Sequence, residues 1–201
     1  MSVAVLALQG DFEAHGAVLA SAGAAWHEAR TADEVLAGSA LVIPGGESMT
    51  FRKLMEGTGI GEAIRQVARR GDPILGTCAG AILLARTILN PPGEGLGLLD
   101  ATVLRNAYGR QLDSAVVRLT DLDARVLGEW PLEAVFIRAP RFRSVGPSVA
   151  VLARRDSDPV LVRQENLLAA TFHPELGDDR RVIDLFLSLS TKEAKARAAR
   201  G

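Results

Sequence analysis

The sequence holds a single cysteine among 201 residues. That excludes an internal disulfide framework and a cysteine-rich zinc site, and it suits a reducing compartment. Net charge is also nearly missing, since 23 Lys and Arg oppose 24 Asp and Glu for a formal −1. No overall positive field therefore draws the chain to nucleic acid or to an anionic membrane surface. No apolar run reaches the roughly 20 residues that would cross a bilayer. The opening "MSVAVLALQGDFEAHG" lacks a basic segment and meets acidic residues early, so it reads as a first strand rather than a signal peptide. Repeats, low-complexity tracts and proline-rich linkers are absent as well. The expectation is one cytoplasmic domain over residues 1–201, large enough for a sizeable core, with no cofactor and no metal.

What is present is an alternation of short apolar runs and helical spacings. "VAVLAL" (3–8), "ALVIPGG" (40–46) and "PILG" (73–76) read as strands buried inside a parallel sheet, and "AWHEA" (25–29) adds another. Between them, Phe12, Val18 and Leu19 have helical spacing that closes at Gly23. "TADEVLAG" (31–38) offers Thr31 as N-cap with Glu34 three residues on, a capping-box pattern. "IGEAIRQVARRG" (60–71) is amphipathic through Ile60, Ile64 and Val67, and "AILLARTIL" (81–89) predicts the next helix. This order predicts an α/β fold of three layers, a mainly parallel central sheet flanked by helices. The second half changes character. "ATVLRNA", "SAVVRL", "AVFIRAP", "VAVLARR", "PVLVRQ" and "LLAATF" are strand-like with little helix between them, which predicts additional antiparallel strands. A helix over about residues 178–200 closes the chain, with Asp178 and Asp179 at its positive end.

The lone thiol sits in "PILGTCAGAILLA" (73–85), where strand meets helix. A free cysteine is most often a small buried hydrophobe. Gly76-Thr77-Cys78-Ala79-Gly80 between a strand and a helix also has the pattern of a nucleophile elbow. Small neighbours allow the tight turn, and the side chain is pushed out at a helix N-terminus, where thiolate is favoured. The Ala79 N–H then points at whatever Cys78 attacks. A thiol nucleophile needs a base, and the histidines are His15, His27 and His173. His27 falls in a strand-like run and reads as structural or surface. His173, in "AATFHPEL", directly follows a strand, where α/β sheets hold their sites. Glu175 is placed to accept a proton from the far imidazole nitrogen and fix its tautomer. "IPGGESMTFRKL" (43–54) adds a glycine-rich turn whose N–H groups suit a developing oxyanion.

"LALQGDFEAH", "PGGES", "GTCAG", "RNAYGRQ", "FIRAP" and "TFHPEL" occur in the order seen in the glutaminase subunits of pyridoxal 5′-phosphate synthase. The chain resembles that family from residue 5 to about residue 187. "GTCAG" and "FHPE" are shared broadly with class I, triad-type glutamine amidotransferases, whereas "RNAYGRQ" and "FIRAP" point to the vitamin B6 branch. The resemblance implies hydrolysis of L-glutamine to glutamate and ammonia. Cys78 would attack and form a γ-glutamyl thioester, His173 would shuttle the proton, and Glu175 would orient His173. The oxyanion would rest on the N–H groups of Gly46 and Ala79. Glutamine contacts carry over to Gly46, Glu47, Ser48, Arg105, Ile137 and Arg138. A synthase subunit, as partner in a hetero-oligomer, would receive the ammonia. The segment from Gln9 to His15 would lie near that partner, and docking would reorient a peptide near Gly45 and Gly46. Ala14, Met49 and Ala115 depart from the usual glutamate, threonine and phenylalanine, and none of them touches the triad. Two alternatives compete. A glutaminase serving a different synthase is opposed by "RNAYGRQ" and "FIRAP". A catalytically silent assembly subunit would be expected to lose Cys, His or Glu, and all three are present.

Overall fold

Alternation along a strand sends successive side chains to opposite faces of a sheet, so a strand apolar at every position must be covered on both sides. The computed structural model, which describes residues 2–105, 107 and 114–198, builds its first half on that rule. Strand β1 (Ser2–Leu6) leads to α1 (Phe12–Ser21), β2 (Ala25–Ala29) to α2 (Ala32–Ala37), and β3 (Ala40–Ile43) to α3 (Ser48–Met55) and α4 (Ile60–Arg69). Strand β4 (Ile74–Thr77) then runs into α5 (Ala79–Leu84). The second half is mostly strand: β5 (Ala85–Leu89), β6 (Gly93–Glu94), β7 (Leu99–Leu104), β8 (Ser114–Leu119) and β9 (Asp121–Leu122) come first. After the short α6 (Ala124–Leu127) follow β10 (Leu132–Ile137), β11 (Arg141–Val145), β12 (Ala150–Arg155), β13 (Asp158–Gln164), β14 (Leu167–Ala170) and α7 (Arg181–Ala198).

The main sheet has the order β2-β1-β3-β4-β14-β13-β12-β9. Its first five strands are parallel, and β13, β12 and β9 extend it antiparallel. On one face Val3, Val5, Val42, Leu75, Leu168 and Ala170 pack with Leu19 of α1 and with Val182, Ile183 and Phe186 of α7. On the other, Ala4, Leu6, Leu41, Ile43, Ile74 and Ala169 pack with Val35, Phe51, Ile64 and Leu83 from α2, α3, α4 and α5. The three layers and the antiparallel additions are those the sequence predicts. Two smaller sheets, β10-β8 and β11-β7-β5-β6, complete the second half.

Local predictions fare unevenly. Thr31 caps α2 in a true capping box: its Oγ1 accepts from the Glu34 N–H at 3.3 Å, and Glu34 Oε2 accepts from the Thr31 N–H at 3.0 Å. The helix predicted over residues 81–89 stops at Leu84, and Ala85–Leu89 is strand β5. β-Branched Thr87 and Ile88 favour the extended form, and pairing with β7 decides it. Strand β11 and helix α3 were not foreseen. The last helix begins at Arg181 rather than near 178, because the Asp179 carboxylate grips the Arg181 side chain and the Glu133 N–H. Most of "RNAYGRQ", namely 106 and 108–111, lies outside the described residues. Among the described residues no helix is long and apolar enough to cross a membrane.

Candidate active site

The loops that leave the carboxyl ends of β1, β3, β4 and β14, neighbours in one parallel array, converge at one rim of the sheet. Cys78 ends β4 and caps α5 with φ 48° and ψ −103°, a left-handed backbone that is strained for a residue with a side chain. Its N–H donates to Ala170 O of β14 at 2.8 Å, which locks the turn to the next strand. Two residues on, Gly80 lies so close to β3 that any side chain would strike the Ile43 carbonyl. The small residues of "GTCAG" are thus required by packing as well as by the turn. Cys78 is 7% exposed.

His173 leaves β14 and is held by its N–H, which donates to Val135 O of β10 at 2.8 Å. Its Nδ1 lies 2.8 Å from Glu175 Oε1 and, facing a carboxylate, carries a proton. With Nδ1 taken by Glu175, Nε2 is the ring nitrogen left for the Cys78 thiol, which lines the same cavity and acts on the imidazole. Burial alone would lower the His173 pKa, but the bonds to Cys78 and Glu175 outweigh it and raise it from 6.5 to about 10. Burial pushes the Glu175 carboxyl up, and His15 and His173 outweigh that to hold it below the ordinary 4.5. The structure therefore brings Cys78, His173 and Glu175 together at one rim, with His173 bonded to Glu175 and beside Cys78. It also adds a residue that ends the "LALQGDFEAH" run but has no triad role predicted from it. His15 on α1 sits behind Glu175, its Nε2 3.3 Å from Glu175 Oε2 and 3.0 Å from Thr77 Oγ1. The only signal was a histidine on the inner side of the first helix. His27 is tied elsewhere, between Ser2 Oγ at 3.0 Å and Glu34 O at 2.9 Å.

The glycine-rich turn after β3 closes the rim. Gly46 has φ 145°, and a side chain there would press on the Gln9 amide. Gln9 brackets the next peptide, donating to Glu47 O at 3.2 Å and accepting from the Glu47 N–H at 3.3 Å. Gly45 O accepts from the Asp11 N–H at 3.4 Å. Ala79 is the first residue of α5, so its N–H has no acceptor within the helix, while the Cys78 N–H is already spent on Ala170. Arg105, 8% exposed, donates to Glu47 Oε1 at 2.9 Å. Arg138 holds φ 42°, a second strained backbone at the rim. These parts line an open cleft of about 500 Å³, walled by Cys78, His173, Gly46, Glu47, Ser48, Arg105, Ile137 and Arg138. Ala79 and Glu175 lie behind that lining, and Gly10, Asp11, Gly45, Ile82 and Pro140 complete it. Among the described residues no cluster of His, Cys, Asp or Glu is arranged to hold a metal ion.

Comparison with known proteins gives the same direction. Residues 5–192 match the SNO glutamine amidotransferase family. A pyridoxal 5′-phosphate synthase subunit PdxT from Koribacter versatilis is 52% identical over 94% of this chain and 95% of that one. The protein of the same name from Solibacter usitatus is 48% identical over 92% of this chain and 97% of its own. A crystal structure of a glutamine amidotransferase superposes with a TM-score of 0.86 at 45% identity, covering 94% of this chain and 98% of that one.

Proposed function

The chain belongs to the SNO glutamine amidotransferase family, and from that membership we propose that it is the glutaminase subunit of pyridoxal 5′-phosphate synthase, working as one domain in the cytoplasm. Its substrate is L-glutamine, and its products are glutamate and the ammonia used by a docked synthase subunit. The observation that carries this reading is the placing of Cys78 beside His173, itself hydrogen-bonded to Glu175, at the wall of one cleft.

The chemistry follows from that placing. The Cys78 sulfur attacks the side-chain amide carbon of glutamine as its proton passes to His173 Nε2, and the carbonyl π pair moves onto oxygen. The Ala79 N–H, at the start of α5, and the Gly46 N–H receive that oxyanion. His173, holding its proton with Glu175 behind it, passes the Nε2 proton to the departing nitrogen, so ammonia leaves and a γ-glutamyl thioester remains. The now neutral imidazole takes a proton from water as it attacks the thioester, and collapse releases glutamate and restores the sulfur. Arg105 carries the charge that matches the α-carboxylate of glutamine, with Glu47 beside it for the α-ammonium. Ser48, Ile137 and Arg138 shape the remaining wall. The synthase acts on the Gly45–Gly46 peptide, whose carbonyl is braced by a long hydrogen bond from the Asp11 N–H, able to exchange.

The test is ammonia release from glutamine by the chain co-purified with its synthase. Cys78→Ala removes the nucleophile and is expected to lower kcat roughly 10⁴-fold or more. A Cys78→Ala complex that still releases ammonia overturns the assignment. Glutamine that cannot replace ammonium salts in pyridoxal phosphate formation overturns the pairing with this synthase.

A further inference from the structure

One buried imidazole has no part in the chemistry above. His15 is wholly shut off from solvent, and its Nε2 faces two oxygens, Thr77 Oγ1 at 3.0 Å and Glu175 Oε2 at 3.3 Å. Among the described residues its Nδ1 has no hydrogen-bond partner. Those neighbours decide the tautomer. A carboxylate oxygen only accepts, so a proton on Nδ1 would aim the bare Nε2 lone pair at Glu175 and bury an unpaired N–H. A proton on Nε2 is directed at Thr77 Oγ1, lies 3.3 Å from Glu175 Oε2 and leaves only a lone pair unmatched, the smaller cost. Burial pushes the His15 pKa down and Glu175 offsets part of that, with His173 and Asp11 the other charged groups acting on the ring. A charged ring would also bury an Nδ1–H with no acceptor, which favours the neutral form.

Glu175 has use for such a donor. Its Oε1 is committed to His173 Nδ1 at 2.8 Å, its side chain is sealed from water, and Oε2 has no aligned hydrogen-bond partner. A buried carboxylate with one idle oxygen is free to twist, and twisting would swing His173 off the sulfur. We propose that His15 is a positioning residue of the glutaminase, its neutral Nε2–H shared between Thr77 and Glu175 and fixing the carboxylate that aims His173 at Cys78. A lysine or arginine there would set a full positive charge beside His173 and compete for Glu175; a neutral ring orients without competing. Asp11, one turn before His15 on the same helix, holds Gly45 O. The first turn of α1 thus bears on the triad and on the oxyanion loop together.

This inference rests on the glutaminase reading, so the synthase-bound wild type and Cys78→Ala are measured first. Failure there sinks the reading before any His15 variant is made. His15→Leu, which removes the donor, is expected to lower kcat roughly 10- to 100-fold with KM for glutamine within about twofold. His15→Gln, which keeps a neutral N–H, is expected to restore most of that loss, and the low-field proton signal of His173 Nδ1 is lost in Leu and kept in Gln. In a Glu175→Gln background, His15→Leu is expected to add little. Wild-type kcat in a folded His15→Leu complex overturns the proposal, as does a full additional loss in the Glu175→Gln background. If His15→Leu does not fold, His15→Gln decides alone: wild-type-like kcat and proton signal support the role, and a loss above tenfold at an unchanged melting temperature refutes it.

Discussion

The elbow that carries Cys78 and the loop that carries Gly46 face the same cavity, yet they are held to different tolerances. Around the elbow, residues 72–85 are buried without a break, and the Cys78 N–H grips Ala170 O at 2.8 Å. The loop is exposed at Gly46 and Glu47 and held by contacts of 3.2, 3.3 and 3.4 Å, two of them from one half-buried glutamine side chain. Short, dry hydrogen bonds between strands open only with the core, whereas long bonds at the rim exchange readily with water. The half that would attack is thus rigid, and the half that would receive the oxyanion is adjustable. An enzyme that must not waste glutamine gains from that division, because a docking partner can complete the loop without disturbing the nucleophile.

The strongest way to break this contrast is Gly80→Ala. A methyl group there meets the Ile43 carbonyl, backbone that cannot step aside, so a loss of about 3 kcal/mol in denaturant unfolding is expected. A loss below about 1 kcal/mol would show slack in the elbow. Next comes the titration of His173, followed by NMR of its ring. In the wild type it changes protonation near the raised value of about 10, and in Cys78→Ala, with the thiol partner gone, the change moves down toward 6.5. The stability consequence has a definite sign. With the folded value above the unfolded one, the contribution is complete below pH 6.5 and is lost as pH climbs through about 10. The wild type should therefore lose more stability over that window than Cys78→Ala. Equal titrations would mean that sulfur and imidazole do not act as a pair. The smallest effect is expected from Gln9→Ala: a fall in kcat of about tenfold, worth about 1.4 kcal/mol in the barrier, with an unchanged unfolding midpoint. Unaltered turnover would mean that the loop is braced by something other than Gln9.

Legibility in the sequence follows the same line between tight and loose. Strands β1, β3, β4 and β14 were plain because burial on both faces demands an unbroken apolar run, and Thr31 with Glu34 marked α2 by side chains that bond within one turn. Helix α3 escaped because Glu47 stands at its cap position without capping it; the carboxylate goes to Arg105 instead. The run 81–89 misled because six buried helical residues and a strand share one apolar stretch, and only pairing with β7 separates them. Strand β11, with a register shift between Phe142 and Ser144, has no clean alternation to read.

By itself the amino-acid order determined the layered α/β architecture, the strained turn at Cys78 and the residue types of a thiol hydrolase, since each is written in neighbours a few positions apart. Tertiary structure alone decided that His15, Thr77 and Glu175 share one buried contact, that Glu47 meets Arg105, and that Cys78 comes to lie beside His173. Those partners are brought together by the parallel order β1-β3-β4-β14, whose carboxyl ends lie side by side however many residues separate them. Local pattern reports what a residue does to its own backbone; which distant atom it finally touches is set by packing.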